Sequence, residues 1–261
     1  SSRDGSARME DEGEKMDTIA AIATQGAAGG VGIIRLSGPD ALLIGKSTFQ
    51  GLPSQLTPRH LYYGTIVAGA AQTPIDQALF VWMPGPNSFT GEDVIELQCH
   101  GGILNQREVL RAVLEAGARM AERGEFSRRA FLNDKIDLTQ AEGLLDVIEA
   151  DSLSGLKAAH GQLRGQLSSE VEALRKEVLQ VISHVEVNID FLQEDVPMFD
   201  PTSLADRVDR VADITCELLA TYTRGRLVRE GLNIALAGPP NAGKSSLFNA
   251  LLREQRAIVT D

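Results

Sequence analysis

The chain has 261 residues, of which 43% are hydrophobic, a formal net charge of −11 and two cysteines. That is enough apolar sequence to build the cores of two ordinary domains, and disorder is excluded as the default. The acidic balance argues against a broad nucleic-acid surface while leaving room for a local basic patch. Cys99 and Cys216 lack the partner spacing of a disulfide framework or a cysteine zinc site, which fits a reducing compartment.

Residues 1–16 are polar and rich in Asp, Glu, Gly and Ser, and are expected to form a disordered acidic extension. They lack the apolar segment of a secretory signal and are too acidic for a mitochondrial transit peptide. The chain starts with Ser, as a processed chain or a fragment would. Residues 18–23 and 31–36 read as strands separated by a Gly-rich stretch. Residues 39–49 read as a helix opening on Pro39. Strands are expected over 61–68, 77–82 and 94–98, with a loop by composition at 84–91. After Gly101 and Gly102, residues Leu104, Val109, Leu110, Val113 and Leu114 recur at helical spacing. This alternation predicts a mixed α/β domain over residues 17–133.

From residue 139 to 191 the pattern becomes helical, with Leu163, Leu167, Val171, Leu174, Val178, Val181, Ile182, Val185 and Ile189 on one stripe. Gly155, Gly161 and Gly165 predict one break early in this stretch. Pro197 and Pro201 end it, and Ser203 is the expected N-cap of a second helix reaching about residue 229. Two such helices pack as an antiparallel hairpin and leave apolar surface for further helices, so residues 134–229 read as the first part of a helical domain. No apolar run is long enough to span a bilayer.

Residues 232–246 read as an apolar strand running into G-x-x-x-x-G-K-S, with Gly238, Gly243, Lys244 and Ser245 in the phosphate-loop positions. Backbone N–H groups and the start of the following helix suit phosphates, Lys244 suits the β and γ phosphates, and Ser245 suits Mg²⁺. The expected ligand is a nucleoside triphosphate, GTP or GDP by the likeness of the loop to translation-factor-type GTPases. The loop lies close to the last residue, Asp261, so most of the domain it opens is expected to be missing. The Asn-Lys-x-Asp and Asp-x-x-Gly motifs of that class do not occur in it, so no complete catalytic set is expected in this chain.

Four segments then share one resemblance. Residues 17–38, 80–102 (Phe-Val-Trp-Met-Pro-Gly-Pro-Asn-Ser-Phe-Thr-Gly-Glu-Asp-Val-Ile-Glu-Leu-Gln-Cys-His-Gly-Gly), 124–142 (Gly-Glu-Phe-Ser-Arg-Arg-Ala-Phe-Leu-Asn-Asp-Lys-Ile-Asp-Leu-Thr-Gln-Ala-Glu) and the Pro-Pro-Asn-Ala-Gly-Lys-Ser-Ser loop are similar, in order, to the tRNA modification GTPase family MnmE, also called TrmE. The resemblance implies an α/β tetrahydrofolate-binding-type domain, then a helical domain into which a Ras-like α/β GTPase domain is inserted; residues 230–261 would be the start of the latter. It implies a homodimer through the N-terminal domain, and a heterotetramer with a FAD-containing MnmG-type partner. The implied activity is modification of C5 of the wobble uridine of tRNA, to an aminomethyl or carboxymethylaminomethyl group. The implied carbon donor is 5-formyl- or methylene-tetrahydrofolate, and the GTP hydrolysis is potassium-dependent. The family's terminal Cys-x-Gly-Lys does not occur in the chain. The implied location is the cytoplasm, or the mitochondrion in a eukaryotic source.

Carried over by position, the resemblance implies folate contacts at Arg35, Glu96 and Lys135. It implies nucleotide contacts at Gly238, Asn241, Ala242, Gly243, Lys244, Ser245 and Ser246, with K⁺ at Asn241 and Mg²⁺ at Ser245. Cations suit a glutamate tail, and a carboxylate suits pterin N–H groups. The plain alternative for Arg35 and Glu96 is that they pair with each other. Gly26–Gly32 does not open a helix and is a poor dinucleotide fingerprint. Cys99 and His100 read as a packed thiol and a hydrogen-bonding imidazole. Arg128 and Arg129, and the cluster Arg224, Arg226 and Arg229, read as solvated charge or, less simply, phosphate contacts. The rival to the GTPase reading is a non-catalytic folate-binding dimerisation module.

Overall fold

The computed structural model describes residues 17–24, 29–150, 152–190, 201–230, 235–240 and 242–252. The acidic extension, Asn241, the strand start at 231–234 and the closing residues 253–261 therefore lie outside the described residues. The chain divides into two compact units, residues 1–141 and 142–261.

The first unit is built on a seven-stranded sheet. Its strands are β1 (Ile19–Ile22), β2 (Val31–Ser37), β3 (Phe49–Gln50), β4 (Tyr62–Ala68), β5 (Thr73–Met83), β6 (Val94–His100) and β7 (Arg119–Met120). The order is β3-β4-β5-β6-β2-β1-β7, antiparallel except for the β1–β7 pair. The helix expected over 39–49 is shorter, α1 (Ala41–Ser47), because Phe49 leaves it to pair with Ile66 as a sheet strand. β5 begins four residues before the expected start and includes Pro74. A missing N–H is tolerated there because β6 pairs with β5 only from Leu79 onward.

α1 and α2 (Ile103–Glu115) cover one face. Alternation along the strands sends Ile34, Leu36, Ile66, Phe80, Ile95 and Leu97 to that face, where they bury completely beneath Val109 and Val113 of α2. Each such side chain contributes roughly 1.5–3 kcal/mol by leaving water. The opposite face carries Arg35, Glu96, Gln98 and His100 and is left partly open. A further helix, α3 (Glu125–Leu132), follows β7; composition alone gave no sign of either.

The turn from β6 into α2 is tight. A Cβ at Gly101 would collide with the backbone carbonyl of Gly29 and come within 3.0 Å of the Val31 nitrogen. Backbone cannot step aside as a side chain can. Gly101→Ala is expected to cost about 1–3 kcal/mol, read as a lower urea midpoint of the first unit.

The second unit is helical. It contains the remainder of α4 (Leu138–Glu149), then α5 (Leu153–Leu163), α6 (Gln166–Asp190), α7 (Pro201–Glu230) and α8 (Lys244–Leu252). The single break expected near the glycines is two breaks. Ser152 caps α5 by accepting the Gly155 N–H, and Gly165, at φ +76°, separates α5 from α6. Ser203 is not an N-cap: the helix starts at Pro201, whose missing N–H costs nothing in a first turn. α6 and α7 run antiparallel, with Gln180 bonded by Arg207 near one end and Glu170 lining the same cleft as Thr221 near the other. Among the described residues, Val171, Leu179, Ile182, Val208 and Leu219 nonetheless stay more than a third exposed. Among the described residues no helix is long and apolar enough to cross a membrane.

Candidate functional site

The β2–β6 register places Arg35 directly opposite Glu96. The two pair: Arg35 Nε donates to Glu96 Oε1 at 2.8 Å, and Nη2 lies 2.7 Å from the same oxygen. Their side chains are 33% and 14% exposed, so the pair sits at the surface of the open face with one side shielded. The Arg35 guanidinium also stands 6.0 Å from the Phe126 ring centroid, which brings α3 to the same end of the face.

Lys135 is held elsewhere in this neighbourhood. Its Nζ donates to the Pro86 carbonyl at 2.9 Å, and its stem lies against Gly91 so closely that a Cβ there would be 3.3 Å from it. Asn133 adds a bond to the Thr90 carbonyl at 2.7 Å. Lys135 thus ties the segment after α3 to the loop between β5 and β6. Arg35 and Glu96 are brought together; no direct bond joins Lys135 to either.

Beneath the loop lies a network that sequence patterning did not predict. Glu125, the first residue of α3, is 2% exposed. It accepts hydrogen bonds from the Glu122 N–H at 2.7 Å, Arg119 Nη2 at 2.7 Å and Arg129 Nη2 at 3.1 Å. Arg129 also donates to Asp17 Oδ1 at 2.6 Å and to Glu92 at 3.2 Å. Glu92 in turn accepts from the buried Ser37 hydroxyl at 2.6 Å. Arg129 is therefore an internal cation and neither a solvated charge nor a phosphate contact, whereas Arg128 is 52% exposed. The Arg119 guanidinium, against the opposing effect of burial, holds the Glu125 carboxyl at about 2, and the same arginine with Arg129 holds Asp17 at about 2. Both values lie below the ordinary 4.5 and 3.8, so stability is fully present above about pH 4.5 and is lost as pH falls toward 2. The unfolding midpoint of the first unit, followed through Trp82, the only tryptophan in the chain, is expected to fall steadily between those values. Glu125→Gln is expected to flatten that profile.

At the end of β6, Cys99 is 3% exposed and burial pushes its thiol up to about 11, so it is a packed residue and no nucleophile. His100 Nδ1 lies 2.7 Å from Asp76 Oδ1. Burial works to raise Asp76, but the bonds from the His100 backbone, its ring and Asn105 outweigh it and keep the carboxyl below its usual range. Among the described residues no group of three or more His, Cys, Asp or Glu side chains is placed to hold a metal ion.

In the phosphate loop, Gly243 adopts φ +81° and α8 starts at Lys244. Lys244 folds back so that its Nζ donates to the Pro239 carbonyl at 2.7 Å. Ala242, Ser245 and Ser246 lie at the turn and first helical residues, and Gly238 is exposed. Residues 235–238 do not form the expected strand; a strand needs a neighbour for its N–H and C=O groups, and no pairing to this segment occurs among the described residues.

Comparison with known proteins accounts for both units. Residues 18–135 match the family described as GTP-binding protein TrmE N-terminus, and residues 138–259 match the MnmE helical domain. A tRNA modification GTPase MnmE from Geobacter sulfurreducens is 47% identical over 245 residues, covering 94% of this chain and 54% of the relative. Proteins of the same name from Syntrophus aciditrophicus and Carboxydothermus hydrogenoformans are 48% and 44% identical with the same coverage. The chain spans about half the length of these relatives. With an α/β sheet domain followed by a helical domain, and with these matches running from residue 18 to 259, the chain belongs to the MnmE (TrmE) family.

Proposed function

We propose that this chain carries the folate-binding portion of a GTP-dependent tRNA modification protein, together with its phosphate loop. The observation that carries this reading is the Arg35–Glu96 pair on the open sheet face, buttressed by α3. A carboxylate with a free oxygen edge suits the adjacent N–H groups of a pterin ring, and the arginine beside it fixes the carboxylate's orientation. Glu96 Oε2 has no bond to Arg35, and the pair is only partly exposed, so a planar ring laid over the face would meet a preset acceptor. Lys135, on the neighbouring loop, adds a cation. The ligand is a one-carbon tetrahydrofolate, 5-formyl or methylene, whose carbon would pass to C5 of the wobble uridine of a tRNA. A second copy of the chain, joined through the first unit, and a FAD-containing partner complete the proposed assembly, in a reducing compartment such as the cytoplasm.

The phosphate loop suits the phosphates of a nucleotide by its donor set, and the family makes that nucleotide GTP or GDP. Gly243 is in the left-handed region, nothing lies within 4 Å of where its Cβ would stand, and α8 begins at the next residue, Lys244. Lys244 would exchange the Pro239 carbonyl for phosphate oxygens, and Ser245 would hold Mg²⁺. Asn241 is the proposed K⁺ ligand; bound there, the ion would add positive charge beside the phosphates. Lys244→Ala is expected to weaken GTP binding at least tenfold, measured with a fluorescent GTP analogue; unchanged affinity would remove the loop from the account.

GTP turnover separates this reading from the simpler module. Potassium-stimulated hydrolysis by this chain would make it an active GTPase by itself. Turnover seen only when the chain is extended to the relatives' full length would make the piece a folate-binding module within the same protein.

A further inference from the structure

Along β6 the open face presents Glu96, Gln98 and His100 in one line, two residues apart. The register adds Arg35 beside Glu96 and Ile33 beside Gln98 from β2, and Val81 and Leu79 beside the same two residues from β5. The face thus has a charged end, an aliphatic middle and a second polar end. A cleft of about 300 Å³ opens at that second end, and His100, Gln98, Gln77 and Tyr63 line it. From Glu96 to His100 the strand advances about 13 Å at ~3.3 Å per residue.

His100 is built to be held there. Asp76 takes its ring Nδ1 at 2.7 Å and its backbone N–H at 2.8 Å, and a second bond at 2.6 Å from Asn105 fixes the carboxylate. The Asp76 side chain is 12% exposed and that of His100 is 73% exposed. With Nδ1–H turned to a carboxylate, the tautomer is set and Nε2 is the acceptor that faces solvent. An ordinary surface histidine has no such support. An N–H for the imidazole and oxygen atoms for the Gln77 and Gln98 amides are what an amide-linked carboxylate offers.

We infer that His100, oriented by Asp76, is a second anchor of the Arg35–Glu96 site. It binds the amide-linked glutamate tail of a folate whose ring head lies at Arg35 and Glu96. The inference rests on the folate reading above and extends it to residues which that reading does not use. The aliphatic middle, Ile33 and Leu79, then lies under the benzoyl ring that joins head to tail.

The test is a calorimetric titration of the full chain with 5-formyltetrahydrofolate and with a tetrahydropterin lacking the benzoyl-glutamate. His100→Ala is expected to weaken the folate about tenfold, the loss of one hydrogen bond with a well-placed partner, and to leave the pterin unchanged. His100→Gln, which keeps an acceptor on an exposed side chain, is expected to recover part of the loss and serves as the folding control. Equal losses on both ligands, or no loss on the folate while Arg35→Ala abolishes it, would overturn the second anchor and leave the folate site standing. A wild-type chain that binds neither ligand would overturn both.

Discussion

Replacing Glu125 with alanine is expected to destabilise the first unit by about 3–5 kcal/mol. The carboxylate is 2% exposed and is the common acceptor of Arg119 and Arg129. Deleting it leaves Arg129, whose side chain is only 11% exposed, short of one partner in a place where water cannot substitute. It also removes the acceptor of the Glu122 N–H at the start of α3. Since a domain of this size is stabilised by only about 5–15 kcal/mol, the variant is expected to be partly unfolded at moderate temperature. Urea denaturation followed by Trp82 fluorescence measures it. A loss below about 1 kcal/mol would mean that Asp17 and Glu92 alone can hold both arginines. Because α3 carries Phe126 to Arg35, the same variant is expected to weaken folate binding even where it remains folded.

Arg35→Ala has the second large effect. It leaves Glu96, 14% exposed, without its counter-charge, and the carboxylate loses the two contacts that orient it. Truncating one member of a shielded, hydrogen-bonded charge pair costs about 2–5 kcal/mol of binding, so tetrahydrofolate affinity is expected to fall at least about thirtyfold. Glu96→Gln keeps the shape and one acceptor oxygen but gives up the charge, and is expected to lose less. Equal affinity in wild type and Arg35→Ala would mean that the pair is a structural ion pair and no part of a ligand site.

The strands were legible where alternation is clean. Residues 31–36 and 94–98 announce β2 and β6 because every second residue is apolar, and that alternation alone places Arg35 and Glu96 on one face. Their opposition across two strands is a matter of register, which depends on the whole sheet. α3 escaped notice because Glu125-Phe-Ser-Arg-Arg-Ala-Phe-Leu mixes charge into a short helix with little apolar stripe; its stability comes from Glu125 and Arg129 bonding to residues far away in sequence. The signal available was the pair itself, an acid and an arginine four residues apart, which on a helix face can share a partner. Arg129 reads as surface charge for the same reason: nothing local says that Asp17 and Glu92 converge on it. His100 was legible as a hydrogen-bonding residue, but its partner Asp76 lies on a neighbouring strand. In the helical unit the stripe was plain, whereas the break at Ser152 depended on a cap, one hydroxyl bonding one N–H.

The most direct measurement is a calorimetric titration of the full chain with 5-formyltetrahydrofolate. The account predicts saturable binding of one ligand per first unit, strongly weakened in Arg35→Ala. Absence of binding to a chain shown to be folded by its Trp82 fluorescence would contradict it.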